Sequence, residues 1–148
     1  MIHFVGAGSG AADLITVRGA RLLAAADVVI WAGSLVNPAL LDGCREGCEI
    51  HDSARMTLEE VLGVMCAADA HGRDVVRLHT GDPCLYGAIQ EQMDALAARG
   101  VAFDVVPGVS SFCGAAAALR QEYTLPGVSQ SVVITRLQGR TPMPEGED

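Results

Sequence analysis

Five short β-branched runs alternate along this chain with longer stretches of helical periodicity. The runs are Ile2–Val5, Val28–Trp31, Cys48–His51, Asp74–His79 and Phe103–Val106, and the helical stretches are Leu14–Ala25, Thr57–Ala70, Leu85–Ala98 and Ser111–Arg120. Strands separated by helix-length connections cannot pair as hairpins. They predict βαβ units and an α/β fold of about five mostly parallel strands flanked by helices. Several boundaries carry their own chemistry. Thr57, with Glu60 three residues on, makes a capping box. Gly72 and Gly100 fall just past helical stretches, where a left-handed residue closes a helix. Pro107 has no N–H to give a ladder and ends the last run. Asp82 followed by Pro83 reads as N-cap and first turn of the stretch Leu85–Ala98. One more strand-like run, Ser131–Thr135, has no helix of its own and leads into a polar, proline-containing end. The division expected is a domain over 1–125, then a linker and the start of a further unit over 126–148.

Composition excludes several chemistries. Half of the 148 residues are hydrophobic but only 4% are aromatic, so the core is aliphatic. All ten basic residues are arginine. The absence of lysine excludes a Walker lysine, a Schiff-base lysine and a Tyr-x-x-x-Lys pair. A net charge of −8 speaks against nucleic-acid binding, which needs a basic face. Five cysteines at irregular spacing suit a reduced, cytoplasmic protein. Cys44 and Cys48 are one residue too far apart for a CxxC motif, and no ligand cluster accompanies them, so no metal site is expected. No basic leader opens the sequence and no apolar run reaches the roughly 18–20 residues that span a bilayer, so no membrane partner is expected.

Three strand-to-helix loops carry the functional signal. The first, Gly6-Ala7-Gly8-Ser9-Gly10-Ala11, satisfies the G-x-G-x-x-G/A dinucleotide pattern. That pattern also wants an acidic residue at the end of the second strand, and here the strand ends Ile30-Trp31-Ala32-Gly33. A nicotinamide or flavin site thus lacks its ribose partner, and a tight glycine turn is the alternative. The second loop, Thr80-Gly81-Asp82-Pro83, follows the run that closes at His79. The third is Val106-Pro107-Gly108-Val109-Ser110-Ser111. A parallel sheet puts the carboxyl ends of its strands on one edge, where ligands of open α/β folds bind. Three such loops together predict a small-molecule site, with His79 beside it as either a structural residue or a base.

At these residues the chain resembles the tetrapyrrole (corrin/porphyrin) methyltransferases that use S-adenosylmethionine (SAM). Four segments carry the likeness: Val5–Gly10, Trp31–Pro38, Leu78–Gly87 and Val106–Phe112. The Ala32-Gly33-Ser34-Leu35-Val36 loop and Gly139-Arg140-Thr141-Pro142 are similar to the branch that methylates C-11 of precorrin-4, or of its cobalt form, in cobalamin synthesis. The resemblance implies a two-lobed homodimer with SAM folded between the lobes. It places SAM contacts on Ser9, Thr80, Gly81, Asp82, Leu85, Ser110 and Ser111. Four positions depart from the pattern. Ser9 replaces a proline, Ala11-Ala12 replace Asp-Pro, and Ala32 stands where uroporphyrinogen methylases carry an aspartate proposed as a base. Relatives continue for about another hundred residues, as a second domain of ordinary size would require. This chain is therefore read as an N-terminal lobe whose second α/β lobe is largely absent, with little activity of its own.

The resemblance further implies methyl transfer without a covalent enzyme intermediate. Cys84 and Cys113 are then packing residues, and His79 is the one weak candidate for a base. A polycarboxylate substrate would be met by Arg55, Arg120, Arg136 and Arg140, with Ser34 beside them. Solvated surface arginines are the alternative for each. Another methyltransferase of the same family, or a non-catalytic α/β ligand-binding module, is the competing reading of the whole chain.

Overall fold

The computed structural model describes residues 1–138 and 142–146. Five strands, β1 (Ile2–Gly6), β2 (Val28–Trp31), β3 (Glu49–Asp52), β4 (Val75–His79) and β5 (Phe103–Val106), form one sheet in the order β3-β2-β4-β1-β5. Every pairing is parallel. Four helices accompany them: α1 (Val17–Ala25), α2 (Leu58–Ala70), α3 (Gln90–Ala98) and α4 (Ser111–Leu119). The chain falls into two compact units, Met1–Ala115 and Ala116–Asp148. The first holds the whole sheet.

Alternation along each strand splits the core into two layers. Ile2, Phe4, Val28, Ile30 and Val75 face Val61, Leu62 and Met65 of α2 and Leu96 of α3. Val5, Val29, Val76, Leu78 and Val106 face Leu23 of α1 and Leu40. The central strands are closed to water on both sides: Phe4, Val5, Ile30, Val75, Val76 and Leu78 are fully buried. That double burial is why they read as continuous apolar runs rather than alternating ones. The helix that follows β1 lies on one face and the helix that follows β4 lies on the other. Adjacent strands whose connections leave on opposite faces create the crevice in which open α/β sheets hold ligands.

Local chemistry accounts for most boundaries. The Thr57 hydroxyl accepts from Glu60 N and the Glu60 carboxylate accepts from Thr57 N, completing the capping box of α2. Gly72 and Gly100 both have φ of +68° and follow α2 and α3 as left-handed terminators. Helix α1 is shorter than its periodicity suggests. Residues Ala12–Leu14 form a separate 3₁₀ turn, and Thr16 caps the true start by accepting from Gly19 N at 3.1 Å.

Two expectations fail. Ser131–Thr135 is not a strand: a β-branched run needs a sheet edge to pair with, and none takes it. Helix α3 starts at Gln90, not Leu85, and Asp82 does not cap it, since its N-cap position is Ile89 with no side-chain hydrogen bond. Asp82 is engaged elsewhere, and the chain between them is held in a conformation no helix can contain.

Candidate functional site

The sheet register builds the site. Gly6 pairs with His79 and Val5 with both Leu78 and Val106, so β1, β4 and β5 end level with one another. Their three outgoing loops therefore start side by side on one edge.

They are then tied together by backbone. Ala7 N donates to His79 O at 2.7 Å, and Gly81 N donates to Gly8 O at 2.8 Å, extending the β1–β4 pairing into the loops as a single antiparallel bridge. Glycine is required at this seam. A Cβ at Gly6 would lie 2.5 Å from Gly108 Cα and 2.6 Å from Gly81 O, and a Cβ at Gly108 would run into that same carbonyl. Gly8 and Gly81 have φ of +84° and +61°, open to glycine at little cost. Asp82 locks the third loop on: its Oδ2 accepts from Gly108 N at 2.9 Å while its Oδ1 accepts from Cys84 N at 2.8 Å. Both oxygens are occupied by main chain, so Asp82 shapes the cradle from within.

The remaining predicted residues sort by place. Ser9, Thr80, Gly81, Asp82, Leu85, Ser110 and Ser111 belong to these three loops, and the structure brings the loops together. Ser9 Oγ is buried and has no hydrogen-bond partner, and it rests against Gly114 of α4, where a Cβ would strike it. A buried hydroxyl with an unmet bond is an opening for a polar ligand atom. Thr80 and Ser111 are exposed and Ser110 is half-buried. Ser34 and Arg55, both exposed, follow β2 and β3, which also end level with β4. Arg120 and Arg136 belong to the second unit, where Arg136 donates to Pro142 O at 2.9 Å. Arg140 lies outside the described residues.

His79 points into the α2–α3 layer. Its ring is 6.1 Å from that of Phe4, and its Nε2 is buried without a partner. Burial, with the Arg77 guanidinium nearby, pulls its pKa down to about 3. A neutral, enclosed imidazole that weak as a base favours the structural side of the alternative. The Cys84 thiol is pushed up by burial and by Asp82, away from the thiolate a nucleophile needs. Among the described residues no group of three potential metal ligands comes together, and no helix is long and apolar enough to cross a membrane.

Sequence reasoning missed three residues that organise the site. Asn37 donates from Nδ2 to Gly10 O at 2.9 Å and accepts Ala39 N at 3.0 Å, pinning the β2 loop to the β1 loop. Asp52 accepts from Gly33 N at 3.0 Å and from Ala54 N at 2.9 Å, and these N–H groups hold its pKa below the usual carboxylate range. Buried Gln92 bonds to Arg77 and to Ala88 O. Only Arg77 carried a signal, as a charge inside an apolar run. Asn37 and Asp52 reach main chain 27 and 19 residues away, and Gln92 sits on a helix of ordinary polarity. A groove of about 850 Å³ runs between β3 and α2, lined by Ile50, Met56 and Val64 among others, and no residue of the loops after β1, β4 or β5 lines it.

Comparison with known proteins agrees with the geometry. The chain is 53% identical over 148 residues to a precorrin-4 C(11)-methyltransferase of Rhodococcus erythropolis, covering 99% of this chain and 59% of the relative. It is 54% identical to a cobalt-precorrin-4 C(11)-methyltransferase of Methanocaldococcus jannaschii, covering 99% and 56%. The fold superimposes with a TM-score of 0.93 and 49% identity on an X-ray structure titled as a cobalamin biosynthetic enzyme, cobalt precorrin-4 methyltransferase, covering 97% of this chain and 60% of that one. A uroporphyrin-III C-methyl transferase from Thermus thermophilus, solved with S-adenosyl homocysteine, matches with a TM-score of 0.66 and 34% identity, covering 77% and 47%. The chain thus spans under two thirds of the length of these relatives. The family model for Tetrapyrrole (Corrin/Porphyrin) Methylases matches residues 1–148, and with the three-loop edge built as described, this chain belongs to that family.

Proposed function

We propose that this chain is the sheet-bearing lobe of a SAM-dependent methyltransferase acting on a tetrapyrrole ring carbon, C-11 of precorrin-4 or of cobalt-precorrin-4. The observation that carries the reading is the seam of Gly8, Gly81 and Gly108 with Asp82, which joins three strand ends into one main-chain-lined edge. The residues fit a polar donor molecule. Ser9 Oγ offers an unmet hydrogen bond at the edge, the Thr80 and Ser111 side chains stand open to it, and Leu85, 39% exposed, supplies apolar surface.

When bound, SAM supplies an activated methyl group on a sulfonium that leaves readily. The protein's own task is alignment, bringing a ring carbon to a near-attack distance of about 3–3.5 Å. The seam serves that task by holding the floor of the cleft rigid. Arg55 and Ser34 lie on the same sheet edge and are candidates to meet the substrate's carboxylates; Arg120, Arg136 and Arg140 stay candidates on the family resemblance alone.

Binding decides the matter. Thermal melts of this chain with S-adenosylhomocysteine and NAD in parallel are expected to shift with the first alone. A ligand at about 100 times its dissociation constant stabilises by about 2.7 kcal/mol. Because the relatives are longer, binding by this chain is expected to be weaker than by a relative of full length. A shift with NAD and none with S-adenosylhomocysteine would restore the dinucleotide reading of the first loop.

A further inference from the structure

At the end of the sheet opposite the three-loop edge, a pair of thiols is left without a role. Cys44 closes the 3₁₀ turn Pro38–Gly43, and Cys48 directly precedes β3, an edge strand of the sheet. Between them the chain reverses. Cys48 N donates to Arg45 O at 3.2 Å, and Gly47, with φ of +80°, takes the left-handed third position of that turn. Arg45 anchors the reversal to the chain just before β2. Its Nε donates to Ala26 O at 3.1 Å and its Nη2 to the Asp27 carboxylate.

The turn sets both cysteines on the same ground. They are half-buried against the apolar layer that holds Val29 and Leu40, and their thiols interact directly. Burial, with Cys48 beside it, pushes the Cys44 thiol up to about 11. Burial raises Cys48 as well, but Cys44, Arg45 and Arg73 pull it back. Cys48 is therefore the sulfur that ionises first, with the Cys44 S–H beside it as donor. A pair of thiolates is penalised in such surroundings, whereas a disulfide carries no charge. That favours oxidation over metal capture, and among the described residues no third ligand joins the pair.

We propose that Cys44 and Cys48 are a reversible redox site, oxidised by peroxide to a disulfide that clasps the entry to β3. The Cys48 thiolate attacks one peroxide oxygen, the O–O bond breaks, and hydroxide leaves to take up the proton that Cys48 released. Cys48 is now a sulfenic acid. The Cys44 sulfur then attacks the Cys48 sulfur, the S–O bond breaks, and water departs with the Cys44 proton. Two thiols and one peroxide give one disulfide and two waters, with two electrons passing from sulfur to oxygen. A dithiol reductant reverses the step by exchange.

The sequence makes the product easy to read. Each of the five cysteines falls on its own tryptic peptide, and the bond after Arg45 lies between Cys44 and Cys48. The folded chain is treated with hydrogen peroxide, its remaining thiols are blocked, and the digest is weighed. Residues 22–45 and 46–55 should appear joined, two hydrogens lighter than their sum, and dithiothreitol should part them. Cys44→Ser should leave Cys48 as a sulfenic acid that dimedone captures. The linked wild type should melt about 5 °C above the reduced chain, and peroxide should not raise the melting temperature of Cys44→Ser. Peroxide that carries Cys48 to sulfinic acid without the link, or that joins either cysteine to Cys66, Cys84 or Cys113 instead, overturns the proposal. So does a linked chain that melts at or below the reduced one, because the fold would then resist a bond that short sequence separation alone allows.

Discussion

His79 shows how burial decides what a titratable group can do. The residue is 7% exposed beside Phe4 and Arg77, and its pKa falls from the ordinary 6.5 to about 3. The unfolded chain binds this proton below pH 6.5, whereas the folded chain resists it until about pH 3. Stability from this group is therefore complete above pH 6.5 and is lost progressively as pH falls toward 3. Asp27, Glu49 and Asp52 also have depressed pKa values, but from ordinary carboxylate values of 3.8 to 4.5, so their loss begins lower. The interval from pH 6.5 to 4.5 thus reports His79. In His79→Phe, urea-determined stability should be flatter across that interval than in wild type, by about 2 kcal/mol or more. An identical slope in both proteins would mean that water reaches the ring.

At the scale of elements, the sheet was legible and the connections less so. Each strand is recovered to within one residue because β-branched runs closed to water on both faces leave little ambiguity. Helix α2 announces both of its ends through Thr57, Glu60 and Gly72. The start of α3 was hidden for a definite reason. Asp82-Pro83 is a helix-opening pair in isolation, but the Asp82 carboxylate binds Gly108 N from the next loop, 26 residues away, and a partner that distant leaves no local trace. The same applies to the site: its loops could be named from sequence, whereas Asn37, Asp52 and Gln92, which hold them, could not. Asp82 also makes the linkage testable. Asp82→Asn would face one amide N–H₂ toward a main-chain N–H, losing one of two accepted bonds, and should cost about 1–3 kcal/mol in chemical denaturation. Loss of S-adenosylhomocysteine binding should exceed that of any exposed loop serine replaced by alanine.

For the molecule as a whole, apolar surface is distributed unevenly. The first unit packs a core in two layers while leaving single residues such as Val17 and Leu35 exposed, whereas in the second Val128, Val133 and Leu137 are 79%, 87% and 93% exposed. Isolated exposed apolar residues are ordinary, but a run of them within ten positions is a surface suited to further polypeptide. Replacing Val133 and Leu137 by serine should lower concentration-dependent light scattering while moving chain stability by no more than about 0.5 kcal/mol. A large fall in stability would place those residues in packing of their own.

The contact of Gly6, Gly81 and Gly108 has a consequence for how this edge of the sheet can diversify. Neither Gly6 nor Gly108 can gain a side chain without displacing the other and the Gly81 carbonyl that both approach. Variation along this edge is thereby channelled outward, to the tips beyond Asp82 and Val109, while the hub itself changes only in concert.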